Sequence, residues 1–283
     1  WNSDFNISFI NNKVKKLPGG NDIQQTERYL FGGVVSILRE GESLGSFYLY
    51  ESNGVFSTAK EAAEAGYIDK ISKSNGGQPV AGDARWVDQN KDGVIDTKDK
   101  IIAGNPIPDF TGGLNNTFKY KGLSLDAFFQ FSKGNDVYNN FRTDLVRGFN
   151  TNYLKENLDA WKQEGDITDV PRNVLLDPAN NSEGVVARPS TRFLEDGSFI
   201  KLKTVTLTYE FPNSVLEKLK LSGLKVYAKG TNLLTITKYS GFDPEVSVAQ
   251  NNNAGQNGGF QFGIDRGLYP LSKSITLGLS LDF

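Results

Sequence analysis

Apolar and polar residues alternate with a period of two along several stretches of the chain, the pattern of β-strands whose two faces meet different surroundings. The last stretch is the clearest. Ile275, Leu277, Leu279, Leu281 and Phe283 fall on one face, and Ser274, Thr276, Gly278, Ser280 and Asp282 on the other. Leu123, Leu125, Ala127, Phe129 and Phe131 likewise oppose Ser124, Asp126, Gln130 and Ser132. Trp1, Phe5, Ile7 and Phe9 alternate with Asn2, Asp4, Asn6 and Ser8. Tyr29, Phe31, Val35 and Ile37 form a further set, and Val205, Leu207, Tyr209 and Phe211 alternate with Thr204, Thr206 and Thr208. Weaker segments lie at Leu44–Tyr50, Phe110–Tyr120 and Leu224–Ile236. The template fits about eight strands in all.

A water-soluble β-sandwich alternates too, but its strands run about 5–6 residues. Several of these reach the roughly 9–11 residues that cross a bilayer as a tilted strand, with aromatics near the ends as in an interfacial girdle. Connection lengths point the same way. Arg39–Ser43, Lys121-Gly122 and Pro212–Gly223 are short links, the last carrying a capping-box pattern, Ser214-x-x-Glu217, that predicts one helical turn. Residues 51–109, 134–197 and 236–270 are long excursions. Short turns at one rim and long loops at the other are the habit of outer-membrane barrels. The pattern therefore predicts an all-β fold of antiparallel transmembrane β-barrel strands, with no domain boundary across residues 1–283. With the short links periplasmic, the first strand runs outward, the long loops are extracellular and Phe283 ends in the periplasm. Loops of that length need structure of their own; Ser57–Ala65 and Leu154–Gln163 both read as helices.

Composition narrows the chemistry. The 283 residues carry 31 Lys and Arg against 33 Asp and Glu, a net charge of −2 without the basic surplus of a nucleic-acid binder. Mean hydropathy is −0.40, and no apolar run approaches the ~20 residues of a spanning helix. There is no His and no Cys, which removes Ser-His-Asp triads, HExxH sites, thiol catalysis, zinc knuckles and disulfides. The expectation is a protein that is not an enzyme. The chain also lacks Met and opens on Trp1, so it reads as a fragment or processed product without its start and signal peptide. Weaker candidates stay bland. Asn251–Gly259 lacks the Lys-Ser/Thr of a phosphate loop, and nothing places Glu61 with Glu64, or Asp159 with Glu164, in a cleft.

One local motif carries specific chemistry. In Asp88-Gln89-Asn90-Lys91-Asp92-Gly93-Val94-Ile95-Asp96-Thr97-Lys98-Asp99, side-chain oxygens fall at positions 1, 3, 5, 9 and 12, with Gly at 6 and an aliphatic residue at 8. That is the EF-hand calcium spacing. Asp88, Asn90, Asp92 and Asp99 would supply side-chain oxygens, Val94 its carbonyl, and Asp96 a direct or water-mediated contact. Without long flanking helices the expectation is a stand-alone loop holding a structural Ca2+. A metal-free, Asx-rich turn is the alternative.

Several segments in order resemble one family. They are Arg39–Tyr48 with Asn53-Gly54-Val55-Phe56, Gly82–Val87 before the calcium-type loop, and Ile102–Phe110 after it. Leu125–Phe131 with Gly134–Asn139 follows, then Arg192–Lys203, Asn232-Leu233-Leu234, Gly241–Glu245 and Gly267–Pro270. Together they resemble the C-terminal part of the SusC/RagA-like TonB-dependent outer-membrane transporters of Bacteroidota. The resemblance implies the last eight or so strands of a barrel of about 22, whose plug and TonB box lie outside this chain. It implies active import of oligosaccharides, glycans or peptides with a SusD-like surface lipoprotein, driven by TonB–ExbB–ExbD. It also implies contact with outer-membrane lipid, and Phe283 as the aromatic terminus engaged by the outer-membrane insertion machinery. The competing expectation is a soluble, calcium-stabilised β-rich adhesion or binding domain.

Overall fold

The computed structural model describes residues 1–26, 34–72, 74–146, 152–174, 188–246, 262–267 and 269–283. Its dominant element is a six-stranded antiparallel sheet whose spatial order is also its chain order. The strands are Asn2–Phe9, Phe110–Tyr120, Leu123–Lys133, Phe199–Glu210, Gly223–Thr237 and Ser274–Asp282, called here the first to the sixth. Five of the six have nine to fifteen residues and lie within the last 174 of the chain, and they pair with their neighbours in sequence order throughout.

Register fixes the two faces. Leu125 pairs with Leu207, Leu207 with Ala228 and Ala228 with Leu277, an unbroken apolar row. One residue along, Asp126, Thr206, Lys229 and Thr276 make the corresponding polar row. The polar face is internally hydrogen-bonded where it can be: Thr117 Oγ1 donates to Asp126 Oδ1 at 2.6 Å. Among the described residues, many large side chains on the apolar face are exposed. Ile275 and Leu277 are each 78 % exposed, Leu279 61 %. The first and sixth strands each have one free edge among the described residues. Among the described residues no helix is long and apolar enough to cross a membrane.

Three glycines inside the long strands, Gly112, Gly113 and Gly278, are covered by aromatic rings from the neighbouring strand. A Cβ on Gly278 would lie 2.1 Å from Tyr227 Cζ, and one on Gly112 2.4 Å from Phe131 Cζ. The ring replaces the missing side chain and screens the backbone, a known device for strand glycines. Gly278→Val should therefore force Tyr227 off its strand and cut the amount of assembled protein several-fold, measured as the heat-modifiable band on gels. Adding Tyr227→Ala should restore part of it. Equal assembly of Gly278→Val and wild type would show that the ring is merely resting there.

Two of the eight segments expected in the long sheet belong elsewhere. Ile23–Thr26, Val34–Leu38, Ser46–Tyr50 and Lys100–Gly104 form a separate four-stranded antiparallel sheet. All five residues of Ser46–Tyr50 are buried, so this strand has no lipid-facing or solvent-facing side. Its Phe47 and Leu49 join Val35, Tyr138, Phe193 and Ile264 in the main core, while Tyr50 packs with Ala84, Trp86 and Ile95. Tyr29 and Phe31 lie outside the described residues. Because the two displaced segments are consecutive, removing them leaves the direction of every other strand unchanged. Residues 10–109 thus become one long excursion.

The short elements follow local rules unevenly. Ala59–Ala63 is a helix capped by Thr58, whose Oγ1 accepts from Glu61 N, while Glu61 Oε2 accepts from Ser57 N. The link between the fourth and fifth strands does form a helix, Asn213–Leu219, but it starts behind Pro212 without a side-chain cap. Ser214 therefore lies inside the helix rather than at its cap. The helix expected at Leu154–Gln163 shortens to a 3-10 turn, Lys155–Asp159. Trp161 N already donates to Val170 O, which takes the chain out of helical register.

Candidate functional site

The long connections form a cap beyond one end of the long sheet, and its chemistry is concentrated where separate excursions meet. Arg142 reaches Glu156 at 2.8 Å and Glu195 at 3.3 Å. Glu195 also accepts from Ser240 N and from Asn139 Nδ2. Tyr239 donates its hydroxyl to Asp265 at 2.6 Å, and both are buried. Burial and that carboxylate together drive the Tyr239 hydroxyl far above the usual phenol range. These polar contacts add to the packing of Tyr138, Phe193 and Ile264 and of Phe141 against Phe242, which joins the same stretches.

Residues 239–245 act as a strap across the polar face of the long sheet. Lys201, on the fourth strand, has a side chain only 3 % exposed and is held by Asp243 and by Glu245, the latter at 2.6 Å. Lys203 adds a second contact to Glu245 at 2.7 Å. Burial alone would raise Asp243; the Lys201 ammonium and the Glu245 backbone N–H outweigh it and hold the carboxyl below its ordinary value.

A third deeply buried charged group is Arg188. Its side chain is fully buried, and Nη2 donates to both oxygens of Asp69 at 2.9 and 2.7 Å. The guanidinium lies 4.4 Å from the Trp86 ring centroid and 5.4 Å from that of Tyr50. Tyr67 donates nothing here that is described, but its oxygen accepts from Trp86 N, and burial pushes its hydroxyl up to about 12. On the neighbouring sheet, Lys100 lies over the rings of Tyr48 and Tyr50, and burial lowers its ammonium to about 8.

The calcium-type loop abuts this centre. Asp88 accepts from Lys91 N and Gly93 N at 2.7 and 2.8 Å, and Asp92 accepts from Val94 N at 3.0 Å. Asn90 accepts from Asp92 N and donates to Asp92 Oδ2. Asp96 accepts from Lys98 N, and the fully buried Asp99 accepts from Gln89 N and Asp96 N. Gly93 takes φ +77°, the left-handed geometry that position six needs. Val94-Ile95 pairs in parallel with Ile68-Asp69, which drives Ile95 into the core and brings Asp69 to Arg188. The six expected ligands lie in one loop, yet their carboxyls turn to backbone donors. Among the described residues no group of three or more acidic side chains is gathered as a metal cage.

Phe283 lies at the opposite end, 94 % exposed, with its carbonyl accepting from Ser222 Oγ at 3.0 Å. Residues 251–259 lie outside the described residues. Arg188, Asp69, Lys201, Asp243 and Glu245 had no local signal, because each pairs across dozens of residues. The only pointer was that Lys201, Asp243 and Glu245 fall within stretches that carry the family resemblance.

No protein-family model matches the chain. Known proteins do. It is 35 % identical over 285 residues to TonB-dependent receptor P3 of Formosa agariphila, covering all of this chain and 27 % of that protein. It is 26 % identical over 294 residues to TonB-dependent receptor SusC of Bacteroides thetaiotaomicron, covering 24 % of it. Among solved structures, the RagAB peptide transporter matches with a TM-score of 0.70 and 27 % identity over 99 % of this chain and 27 % of that one. The chain thus spans about a quarter of the relatives it matches. Its resemblance to SusC/RagA-like TonB-dependent receptors holds from end to end, and these relatives carry receptor and transporter names rather than those of enzymes.

Proposed function

We propose that this chain is a section of barrel wall and extracellular cap of a TonB-dependent outer-membrane importer of oligosaccharides, glycans or peptides. The observation that carries the reading is the apolar face of the long sheet, with Ile275 and Leu277 78 % exposed. A soluble protein rarely leaves so large a contiguous apolar surface in water, whereas a barrel turns it to lipid. The free edges at the first and sixth strands then pair with strands outside this chain. The short links face the periplasm, the cap faces outward, and a SusD-like lipoprotein closes over it. Coupling to TonB–ExbB–ExbD comes through segments outside this chain. The parent protein should fractionate with the outer membrane as a heat-modifiable band and carry a surface lipoprotein through affinity purification. Recovery in the soluble fraction without detergent would sink the reading.

We further propose that the 88–99 loop takes a structural Ca2+. The spacing and the geometry of Gly93 support it, and a carboxylate has about four acceptor sites, so backbone donors do not exhaust Asp88 or Asp99. The ion would stiffen the segment that positions Asp69. Asp88→Ala with Asp92→Ala should raise protease cleavage between Gly82 and Gly104 several-fold, and chelation of wild type should do the same. Unchanged cleavage after chelation would assign the loop's order to its hydrogen bonds alone.

Phe283 is proposed as the assembly signal at the periplasmic end of the sixth strand. Its deletion should reduce outer-membrane levels of the parent protein, read by surface labelling. Normal levels would count against this role.

A further inference from the structure

Beside the Arg188 centre, the 51–109 excursion encloses a cavity of about 10 Å3, lined by Tyr67, Asp69, Ser72, Gln78, Asp83 and Trp86. Gly77 closes one side at φ +85°; a Cβ there would lie 2.5 Å from the Asp69 carbonyl oxygen, so the turn sits flush against the wall. Asp69 and Asp83 are both buried, and each already has an arginine, Arg188 Nη2 and Arg172 Nε, at 2.7 Å. Asp83 also accepts from Val80 N, yet burial still holds its carboxyl above the ordinary value. Two donors on the same lining have no acceptor among the described residues. The Trp86 indole N–H is buried without one. Tyr67 Oη accepts from Trp86 N, while its own proton goes unclaimed among the described residues.

We infer that this cavity binds one structural water, which accepts from Trp86 Nε1 and Tyr67 Oη and donates to Asp69 and Asp83. The volume matches the roughly 10–15 Å3 that a single buried water needs, and four polar partners are its full complement. The chemistry selects water over an ion. A cation would face the indole N–H and the phenol O–H, and an anion would face two carboxylates. The two arginines already neutralise those carboxylates, so the lining calls for no further charge. A carboxylate oxygen has two lone pairs. Asp69 Oδ2, accepting from Arg188, and Asp83 Oδ2, accepting from Val80, therefore keep a place for the water. The water joins Asp69 to Asp83, and through them Arg188 to Arg172, both in the 134–197 excursion. The inference is independent of the outer-membrane reading, since it uses contacts within the cap alone.

The test uses crystals of the full parent protein, at a resolution that shows ordered water, grown with and without rubidium bromide as the ion probe. Wild type should show one density peak at hydrogen-bond distance, about 2.7–3.2 Å, from Trp86 Nε1 and from an oxygen of each carboxylate. That peak should carry no rubidium or bromide anomalous signal. Trp86→Phe keeps a ring against Arg188 but removes the N–H, so the peak should be lost or move off the ring towards Asp83. Should Trp86→Phe fail to fold, Tyr67→Phe takes away the other donor and gives the same reading. Three results would each overturn the proposal. They are a wild-type cavity without density, an anomalous peak from either ion in it, and a peak that stays in place when its donor is removed.

Discussion

Lys201→Met should release the strap at residues 239–245 while leaving the long sheet assembled. The side chain is 3 % exposed, so Met fills its volume but leaves Asp243 without its ammonium partner and Glu245 with Lys203 alone. Breaking a buried pair from one side costs about 3–5 kcal/mol, because the remaining charge stays desolvated. Lys203 keeps Glu245 at 2.7 Å, so the loss should fall at the lower end, about 3 kcal/mol in the opening of the strap. Limited proteolysis should then cut within residues 238–246 about a hundredfold faster, at unchanged heat-modifiable migration. The pH dependence has a definite sign. Asp243 is depressed in the folded state, so its contribution is present above the ordinary carboxylate value near 4 and is lost as pH falls through the folded one. Acidifying wild type to about pH 3 should therefore loosen the strap, and Lys201→Met should no longer show that step. Proteolysis of the variant at the wild-type rate at neutral pH would mean that Tyr239–Asp265 and Ser240–Glu195 hold the strap unaided.

The long sheet was readable from the chain because its physics is local. A strand between lipid and a polar interior alternates along its length; Ile275–Phe283 does so without interruption, and Leu123–Phe131 does so except at Phe128, beside a register shift. The same rule misplaced Leu44–Tyr50. Tyrosine has an apolar body and a polar tip, so Tyr48 and Tyr50 can be buried against Arg39, Lys100 and Arg188 on one side while Phe47 and Leu49 fill the core on the other. Periodicity over five residues does not separate that strand from one facing lipid. The loop at 88–99 was legible in its turn geometry, Gly93 above all. What the spacing does not show is that these carboxyls also accept from backbone N–H groups of the same loop. The ion pairs of the cap were invisible for another reason. Asp69 and Arg188 are 119 residues apart, and Lys201 and Asp243 are 42 apart. No window that detects a helix or strand contains both partners.

Arg188→Met should open the cap at its centre. The guanidinium is the only described partner bringing charge to Asp69, and it also fills the space between Trp86 and Tyr50. Met can replace part of the packing but none of the charge, so the buried Asp69 carboxylate is stranded at a cost of about 3–5 kcal/mol. The expected result is joint exposure of two segments far apart in sequence. Residues 188–198 should lose protection because Tyr50 N no longer holds Pro189 O, and residues 66–99 because Asp69 no longer anchors the bridge to Val94-Ile95. Hydrogen exchange should show both segments speeding up together, by about a hundredfold or more, with the long sheet unaffected. Asp69→Asn in the Arg188→Met background separates charge from packing. Asn keeps an acceptor for Ile71 N and Ser72 N but removes the stranded charge, so the double variant should regain more than half of the lost protection. A double variant as exposed as the single one would show that stacking on Trp86, rather than the ion pair, joins the two excursions. Ile95 packs on the same rings, so a loop loosened at Asp88 and Asp92 should also weaken protection at 188–198, although it touches none of those residues.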